Sequence, residues 1–462
     1  MNNTSFSSLE LVSGLLDNLA TLDYQEMTPI QAQSLPHILA GKDIIAQGKT
    51  GSGKTAAFGL GLLQKLEVKR FRIQALVLCP TRELADQVAT EIRRLARGIH
   101  NIKILTLCGG TPFGPQLGSL EHGAHIIVGT PGRVEEHLRK GSLKLGHLSS
   151  FVLDEGDRML DMGFQETLDA IIEFLPEQRQ TMLFSATYPE QIQTIAQRIM
   201  REPVEIRVAA THDNDSIEQV FYQIDDESMR LQALRLLLLK YRPGSALVFC
   251  NTRQETQQVA DQLCDHGFSA LALHGELEQR VRDQTLVRFT NKSASILVAT
   301  DVAARGLDID DLDAVINYQL ARETEVHVHR IGRTGRAGSK GLACTLYSDK
   351  ESYKLSKLAQ YLGREIVATA LPPVNLLKEP TYKPPMSTLQ IDGGKKQKVR
   401  AGDILGALTG KGGIEGSDVG KISIYANWAY VAVRQDIARS ALAKLGKGKL
   451  KGRSFRVRMI DS

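Results

Sequence analysis

No apolar run in this 462-residue chain approaches the ~18 residues a membrane-crossing helix needs, so a helical membrane span is not expected. The opening residues, MNNTSFSSLE, lack a basic segment followed by an apolar one and do not read as a secretory signal. Cysteine is scarce as well. Cys79, Cys108, Cys250, Cys264 and Cys344 are scattered, and none falls in C-x-x-C spacing. Reduced core thiols in a cytoplasmic protein are therefore expected, not zinc sites or disulfides. What is present is a globular composition, 42% apolar and 24% charged. At roughly 100–200 residues per domain the length suits several domains.

The net charge of +5 is unevenly spread. Residues 381–462 hold 16 Lys and Arg against 6 Asp and Glu, and residues 1–380 hold 41 against 46. All of the basic excess thus lies in the last stretch, which points to an appended module for a polyanion.

Short apolar runs alternate with amphipathic stretches from about 40 to 205. DIIAQ (43–47), QALVLCP (74–80), IKILTLC (102–108), AHIIVG (124–129), SFVLDE (150–155) and TMLFSAT (181–187) read as buried strands, with 83–98 a crossover helix. A second alternation carries SALVFCN (245–251), SALALHG (269–275), SILVATD (295–301), DAVINYQ (313–319) and ACTLYS (343–348). The fold class expected is α/β, with two doubly wound parallel-sheet domains in tandem and a small α+β domain after them. The boundaries expected are 1–208, a polar linker 209–216, 217–370, a proline-rich semi-rigid linker 371–386, and 387–462 with strands around a helix.

AQGKTGSGKT (46–55) follows a predicted strand and opens a helix. Its G-x-x-x-x-G-K-[ST] pattern lets the backbone N–H groups of Gly48, Lys49, Thr50, Gly51, Ser52 and Gly53 wrap phosphate oxygens at a helix N-terminus. Lys54 is suited to the terminal phosphates, and the Thr55 hydroxyl to magnesium. Further on, VLDEGDRML (152–160) ends an apolar strand in Asp154, Glu155 and Asp157. Three carboxylates there need a cation. Asp154 is expected to hold Mg²⁺ through water, and Glu155 to orient or deprotonate the attacking water of ATP hydrolysis.

Taken in order, further motifs make the chain resemble the DEAD-box RNA helicases of superfamily two. They are MTPIQ (27–31), PTRELA (80–85), GG (109–110), TPGR (130–133), DEGD (154–157), SAT (185–187), VFCNT (248–252), Gln279 with Arg282, ATDVAARGLD (299–308) and HRIGRTGR (329–336). The resemblance covers roughly residues 1–370 and implies two RecA-like domains. It implies that Thr28 and Gln31 join the nucleotide site, with Phe6 stacking on adenine and Asp308 on the ribose. Arg333 and Arg336 become arginine fingers, and Asp157, Ser185, Thr187 and His329 couple nucleotide to RNA. RNA contacts fall to Thr81, Arg82, Gly110, Thr130, Arg133, Gln279, Arg282, Thr300, Asp301 and Gly306. Two departures stand out: Gly156, where the family has alanine, and NYQLA (317–321), where it often has NYDLP. Gly156 omits one methyl group and is expected to leave the chemistry intact.

The C-terminal module resembles an RRM, with Trp428 and Tyr430 in YANWAYVAV (425–433) at its RNA-stacking positions. Gln390 and Val433 stand where aromatic rings are usual, so ordinary sheet-face binding should be weak. Lys395, Lys396, Lys398, Arg400, Lys447 and Lys449 offer a basic alternative. The stretch 387–410 resembles the DbpA subfamily. That resemblance implies binding to a 23S rRNA hairpin and action on 50S assembly intermediates, with a monomeric helicase core. The competing readings are a general helicase or RNA chaperone of mRNA decay or cold shock, and an RNA-binding scaffold.

Overall fold

A computed structural model describes residues 4–48, 51–208, 217–304, 309, 311–335 and 340–460. The chain divides into two compact units, one running from the N-terminus to Thr211 and the other comprising most of the remainder.

In the first unit seven parallel strands lie in the order β3-β4-β2-β5-β6-β1-β7. They are β1 (Ile44–Gln47), β2 (Ala75–Leu78), β3 (Ile104–Leu107), β4 (Ile126–Gly129), β5 (Ser150–Asp154), β6 (Gln180–Ser185) and β7 (Val204–Arg207). The central strands are buried throughout and largely apolar because both faces are covered by helices. One core layer gathers Ile44, Val77, Val152 and Phe184, and the other Leu76, Leu78, Phe151 and Leu183. Asp43, just before β1, accepts from the backbone N–H groups of Thr181 and Arg201 (both 2.7 Å) and pins the edge of this sheet.

The second unit opens with another seven-stranded parallel sheet, order β10-β11-β9-β12-β13-β8-β14. Its strands are β8 (Ile217–Ile224), β9 (Ala246–Cys250), β10 (Ala270–Leu273), β11 (Ile296–Thr300), β12 (Ala314–Asn317), β13 (Gly341–Ser348) and β14 (Ala368–Thr369). A four-stranded antiparallel sheet follows, order β16-β17-β15-β18, from β15 (Met386–Ile391), β16 (Val419–Ile424), β17 (Ala429–Arg434) and β18 (Val457–Met459). The helices Ala401–Thr409 and Ala438–Lys447 cover one of its faces, two helices where the sequence suggested one.

The proline-rich segment 371–386, expected as a semi-rigid linker, lies against the second parallel sheet's domain: Leu371, Leu377 and Tyr382 pack on that sheet's core, and Thr381 Oγ1 donates to the Gly267 carbonyl (2.8 Å). Its apolar residues have an apolar surface to join, and that outweighs the stiffness of its prolines. The antiparallel sheet, in turn, does not present its uncovered face to solvent. Thr388 on β15 bonds Ser293 (2.7 Å) and Asn291 (3.2 Å), and Gln390 accepts from Gln284 (3.0 Å) on the helix Gln279–Thr290. The linker 209–216 lies outside the described residues.

Candidate active site and nucleic-acid interface

The phosphate loop runs from the end of β1 into the helix Lys54–Gln64. Gly53 turns it with φ +94°, a left-handed conformation open to glycine at little cost. A Cβ there would also collide with the Gln31 amide. Gln31 Nε2 donates to the Gly53 carbonyl (3.1 Å), and Thr28 Oγ1 to the Ser52 carbonyl (2.7 Å). The MTPIQ segment therefore braces the loop. From the other side, Gly48 N–H donates to the Ser185 carbonyl (3.0 Å). Lys54 is buried, and its Nζ donates to the Gly48 carbonyl (2.7 Å). Thr55 follows it, half-buried, while Lys49 and Thr50 lie outside the described residues.

Asp154 closes β5, two strands from β1 across the sheet, and is 3% exposed. Burial raises its pKa to about 7, against the pull of the Lys54 charge. Its Oδ1 is buried and meets no hydrogen-bond donor among the described residues. A carboxylate oxygen in that condition suits a cation. Among the described residues no group of three His, Cys, Asp or Glu could hold a metal ion. Glu155 caps the next helix, Gly156–Asp161, from the left-handed region (φ 54°), a conformation that costs a non-glycine residue about 1 kcal/mol or more. Glu155 thus pairs a strained backbone with a buried carboxylate (4% exposed).

Asp157 is tied into the next motif. Its Oδ2 accepts from the Thr187 N–H (2.9 Å) and Oγ1 (2.7 Å), and its own N–H donates to Ser185 Oγ (3.3 Å). Burial alone would raise its pKa; the Arg158 charge and the bonds from Thr187 and Ser185 outweigh that and hold it below the usual carboxylate range.

The RNA-motif residues of the first unit gather where β2, β3 and β4 end. Thr81 caps the helix Arg82–Leu95, and its Oγ1 accepts from the Leu84 N–H (3.3 Å). Gly110 turns with φ +71°. Thr130 accepts from the Gly109 N–H (3.4 Å), and Arg133 donates to the Thr111 carbonyl (2.9 Å), so TPGR holds the GG turn in place. Phosphate loop, carboxylates and these motifs all lie at the carboxyl ends of the strands, where open parallel sheets bind ligands.

In the second unit Gln279 bonds Asp283 (2.8 Å), and Arg282 donates to the Ala303 carbonyl (3.1 Å). Thr300 Oγ1 accepts from the Ala303 N–H (3.3 Å). Asp301, expected at the RNA, has its carboxylate paired with Arg330, which donates from Nε (2.6 Å) and Nη2 (2.7 Å). Arg330, which motif reading left without a role, is 1% exposed and also bonds Asn251 (2.9 Å) and the Gln319 carbonyl (2.9 Å). It holds three motif segments together, NYQLA among them. Its signal was present: an arginine inside a run otherwise assigned to phosphate and RNA. Arg333 is buried in this domain and His329 half-buried. Gly306, Asp308 and Arg336 lie outside the described residues.

Three aromatic assignments are also corrected. Phe6 is 3% exposed and meets Tyr24 edge-on (5.9 Å), because the N-terminal segment folds its apolar residues into the core; no open ring face awaits adenine. Tyr430 is fully buried, and burial pushes its phenol pKa up. Arg280 lies over the Trp428 ring (5.3 Å). The helix Gln279–Thr290 thus occupies the surface on which bases were expected to stack. Lys395, Lys396, Lys398, Arg400, Lys447 and Lys449 are all exposed.

Three family matches follow the chain in order: DEAD/DEAH box helicase over residues 28–195, helicase conserved C-terminal domain over 229–338, and DbpA RNA binding domain over 388–459. The chain is 54% identical to ATP-dependent RNA helicase DbpA of Escherichia coli, across 99% of this chain and 100% of that one. Its identity to DbpA of Bacillus subtilis is 37%, covering 98% of each. This chain belongs to the DbpA subfamily of DEAD-box RNA helicases. Among solved structures, Saccharomyces cerevisiae Dbp5 bound to RNA and ADP BeF3 matches with TM-score 0.70 at 31% identity, covering 80% of this chain and 96% of that one. The protein is accordingly an ATP-dependent RNA helicase with two RecA-like domains and an RNA-binding C-terminal domain. No described helix is long and apolar enough to cross a membrane.

Proposed function

We propose that this helicase remodels large-subunit ribosomal RNA in the cytoplasm, addressed by its C-terminal domain to a 23S rRNA hairpin during 50S assembly. The observation that carries this reading is the basic surface left open once the sheet face is covered. Lys395, Lys396, Lys398, Arg400, Lys447 and Lys449 stand on loops and a helix end, suited to the phosphates of a structured RNA. The E. coli and B. subtilis relatives that match the whole chain, this domain included, support it.

In the core, Asp154 and Thr55 would hold magnesium, which neutralises charge on the phosphates. Lys54 binds the terminal phosphates, and Glu155 positions the attacking water and takes its proton. Thr28 and Gln31 keep the loop in shape. Thr81, Gly110, Thr130 and Arg133 grip RNA by its backbone, which fixes a strand without reading its sequence. Arg333 and Arg336 belong to the second RecA-like domain, so turnover depends on both domains.

The test compares RNA-stimulated ATPase activity with ribosomal fragments and with unrelated or scrambled RNAs of equal length and charge, for the full chain and a chain ending before 381. Preference for the ribosomal hairpin in the full chain, lost on truncation, is the expected result. Equal stimulation by all RNAs would favour a general helicase instead.

A further inference from the structure

The loop between the helix Lys54–Gln64 and β2 carries Lys69, Arg70, Phe71 and Arg72 in succession, and all four are exposed. Phe71 is 52% exposed, an unusual place for a large aromatic ring. The loop is built, not loose. Gln74 is buried; its amide donates to the carbonyls of Glu67 and Arg70 (both 3.0 Å) and accepts from the Glu67 N–H (2.9 Å). His125 is fully buried; its Nδ1 accepts from the Lys103 N–H (3.0 Å), which leaves Nε2 to donate to the Val68 carbonyl (3.0 Å). The Phe71 ring packs tilted against that imidazole, with centroids 4.6 Å apart and planes at 52°. Gly123, with φ +73°, passes beneath, where a Cβ would touch Phe71. Two buried polar side chains and a glycine therefore hold one aromatic ring proud of the surface, with cations on both sides of it in sequence. Arg70 pairs with Glu67 (2.9 Å), while Lys69 and Arg72 have no ion pair among the described residues.

This loop precedes β2, so it lies at the amino ends of the strands, across the sheet from the phosphate loop and the RNA motifs. RNA held by those motifs reaches it only through a flanking segment. We propose that Lys69, Phe71 and Arg72 form a second binding site for single-stranded RNA, in which a base stacks on Phe71 and neighbouring phosphates meet Lys69 and Arg72. The central ring selects this ligand: an acidic peptide is matched by cations alone, whereas a base has a face to stack and adjoining phosphates for the cations. A preformed loop also loses little freedom on binding.

The experiment measures affinity of the full chain for a short RNA that fills only the motif groove, and for the same RNA with long single-stranded extensions. The unsubstituted chain should bind the extended RNA more tightly. Phe71→Ala should lose about tenfold of that affinity and Phe71→Trp should retain it, since stacking on an aromatic ring is what is tested. The double change Lys69→Ala with Arg72→Ala should lower the salt slope for extended RNA by about 1.4. Short-RNA affinity and its stimulation of ATPase should stay unchanged throughout, which separates this site from the helicase core. The proposal falls if extension adds no affinity, if the gain survives in Phe71→Ala, or if short RNA weakens equally.

Discussion

Asp157 and Thr187 are joined twice through one carboxylate oxygen, which accepts both the backbone N–H (2.9 Å) and the hydroxyl (2.7 Å) of Thr187. The carboxylate follows the strand that ends in Asp154, and the threonine follows the strand whose last carbonyl holds Gly48, so the pair joins the ends of those two strands. Thr187→Val removes only the hydroxyl bond. A bond to a charged group is worth about 1.5–3 kcal/mol, so unwinding should fall tenfold or more. RNA-stimulated ATPase should fall much less. Parallel loss of both activities would show that the bond serves hydrolysis itself.

Glu155→Gln keeps the shape of the side chain and removes its basicity. Turnover should drop by about 10²–10⁴, the usual worth of a general base, while nucleotide affinity holds. Single-turnover hydrolysis and nucleotide titration separate the two.

Asp154 titrates near 7, well above an unfolded aspartate. The folded protein therefore binds a proton that the unfolded chain releases between pH ~4 and 7, and stability declines as pH rises through that window. At pH 8 and without divalent ions, Asp154→Asn should be more stable than the parent by a few kcal/mol, at ~1.4 kcal/mol per pKa unit. The gain should shrink as pH falls towards 4. Thermal denaturation in chelator reads it directly. A difference that does not vary with pH would place the cause elsewhere.

Gly156→Ala would set a methyl 3.1 Å from Ile192 Cδ1 and 3.9 Å from Leu183 Cγ. The near atom ends a flexible side chain, so mild crowding opposes the lower entropy of the unfolded chain. Stability should move by less than about 1 kcal/mol, and RNA-stimulated ATPase should stay close to the parent's. A large loss of activity would show that the glycine is needed.

Trp428→Ala should loosen the second unit while leaving RNA binding by the basic loops intact. Losing the Arg280 contact should lower thermal stability by about 0.5–2 kcal/mol. Affinity for RNA at fixed salt should be unchanged; a marked weakening would return the ring to the RNA site.

Much of this was legible in the sequence. Most strands of both parallel sheets read out well because they are largely buried on both faces and so are mostly apolar. The exceptions, β7, β8 and β14, lie at or near sheet edges, where polar residues such as Glu205, Glu218 and Gln223 are allowed. The phosphate loop and the carboxylates were local, and local spacing carries them. What did not read out was what packs on what. Gln390 looked like a missing aromatic ring; in the fold it accepts from Gln284 and Arg458, both 3.0 Å away, at a covered surface. Trp428, Tyr430 and Phe6 have the chemistry to stack on bases, but stacking needs an open face, and openness belongs to the tertiary structure. Likewise Asp301 read as a ligand for RNA and Arg330 had no assigned role, and only their proximity shows that the two pair.

The Lys54 ammonium resting on the Gly48 carbonyl gives the phosphate loop an internal competitor. A nucleotide that recruits this lysine must first separate it from an oxygen 2.7 Å away, so each new contact is an exchange and not a net addition. A diphosphate that leaves Lys54 where it is avoids that exchange and gains nothing from the lysine. The loop thereby tempers its own grip on nucleotide.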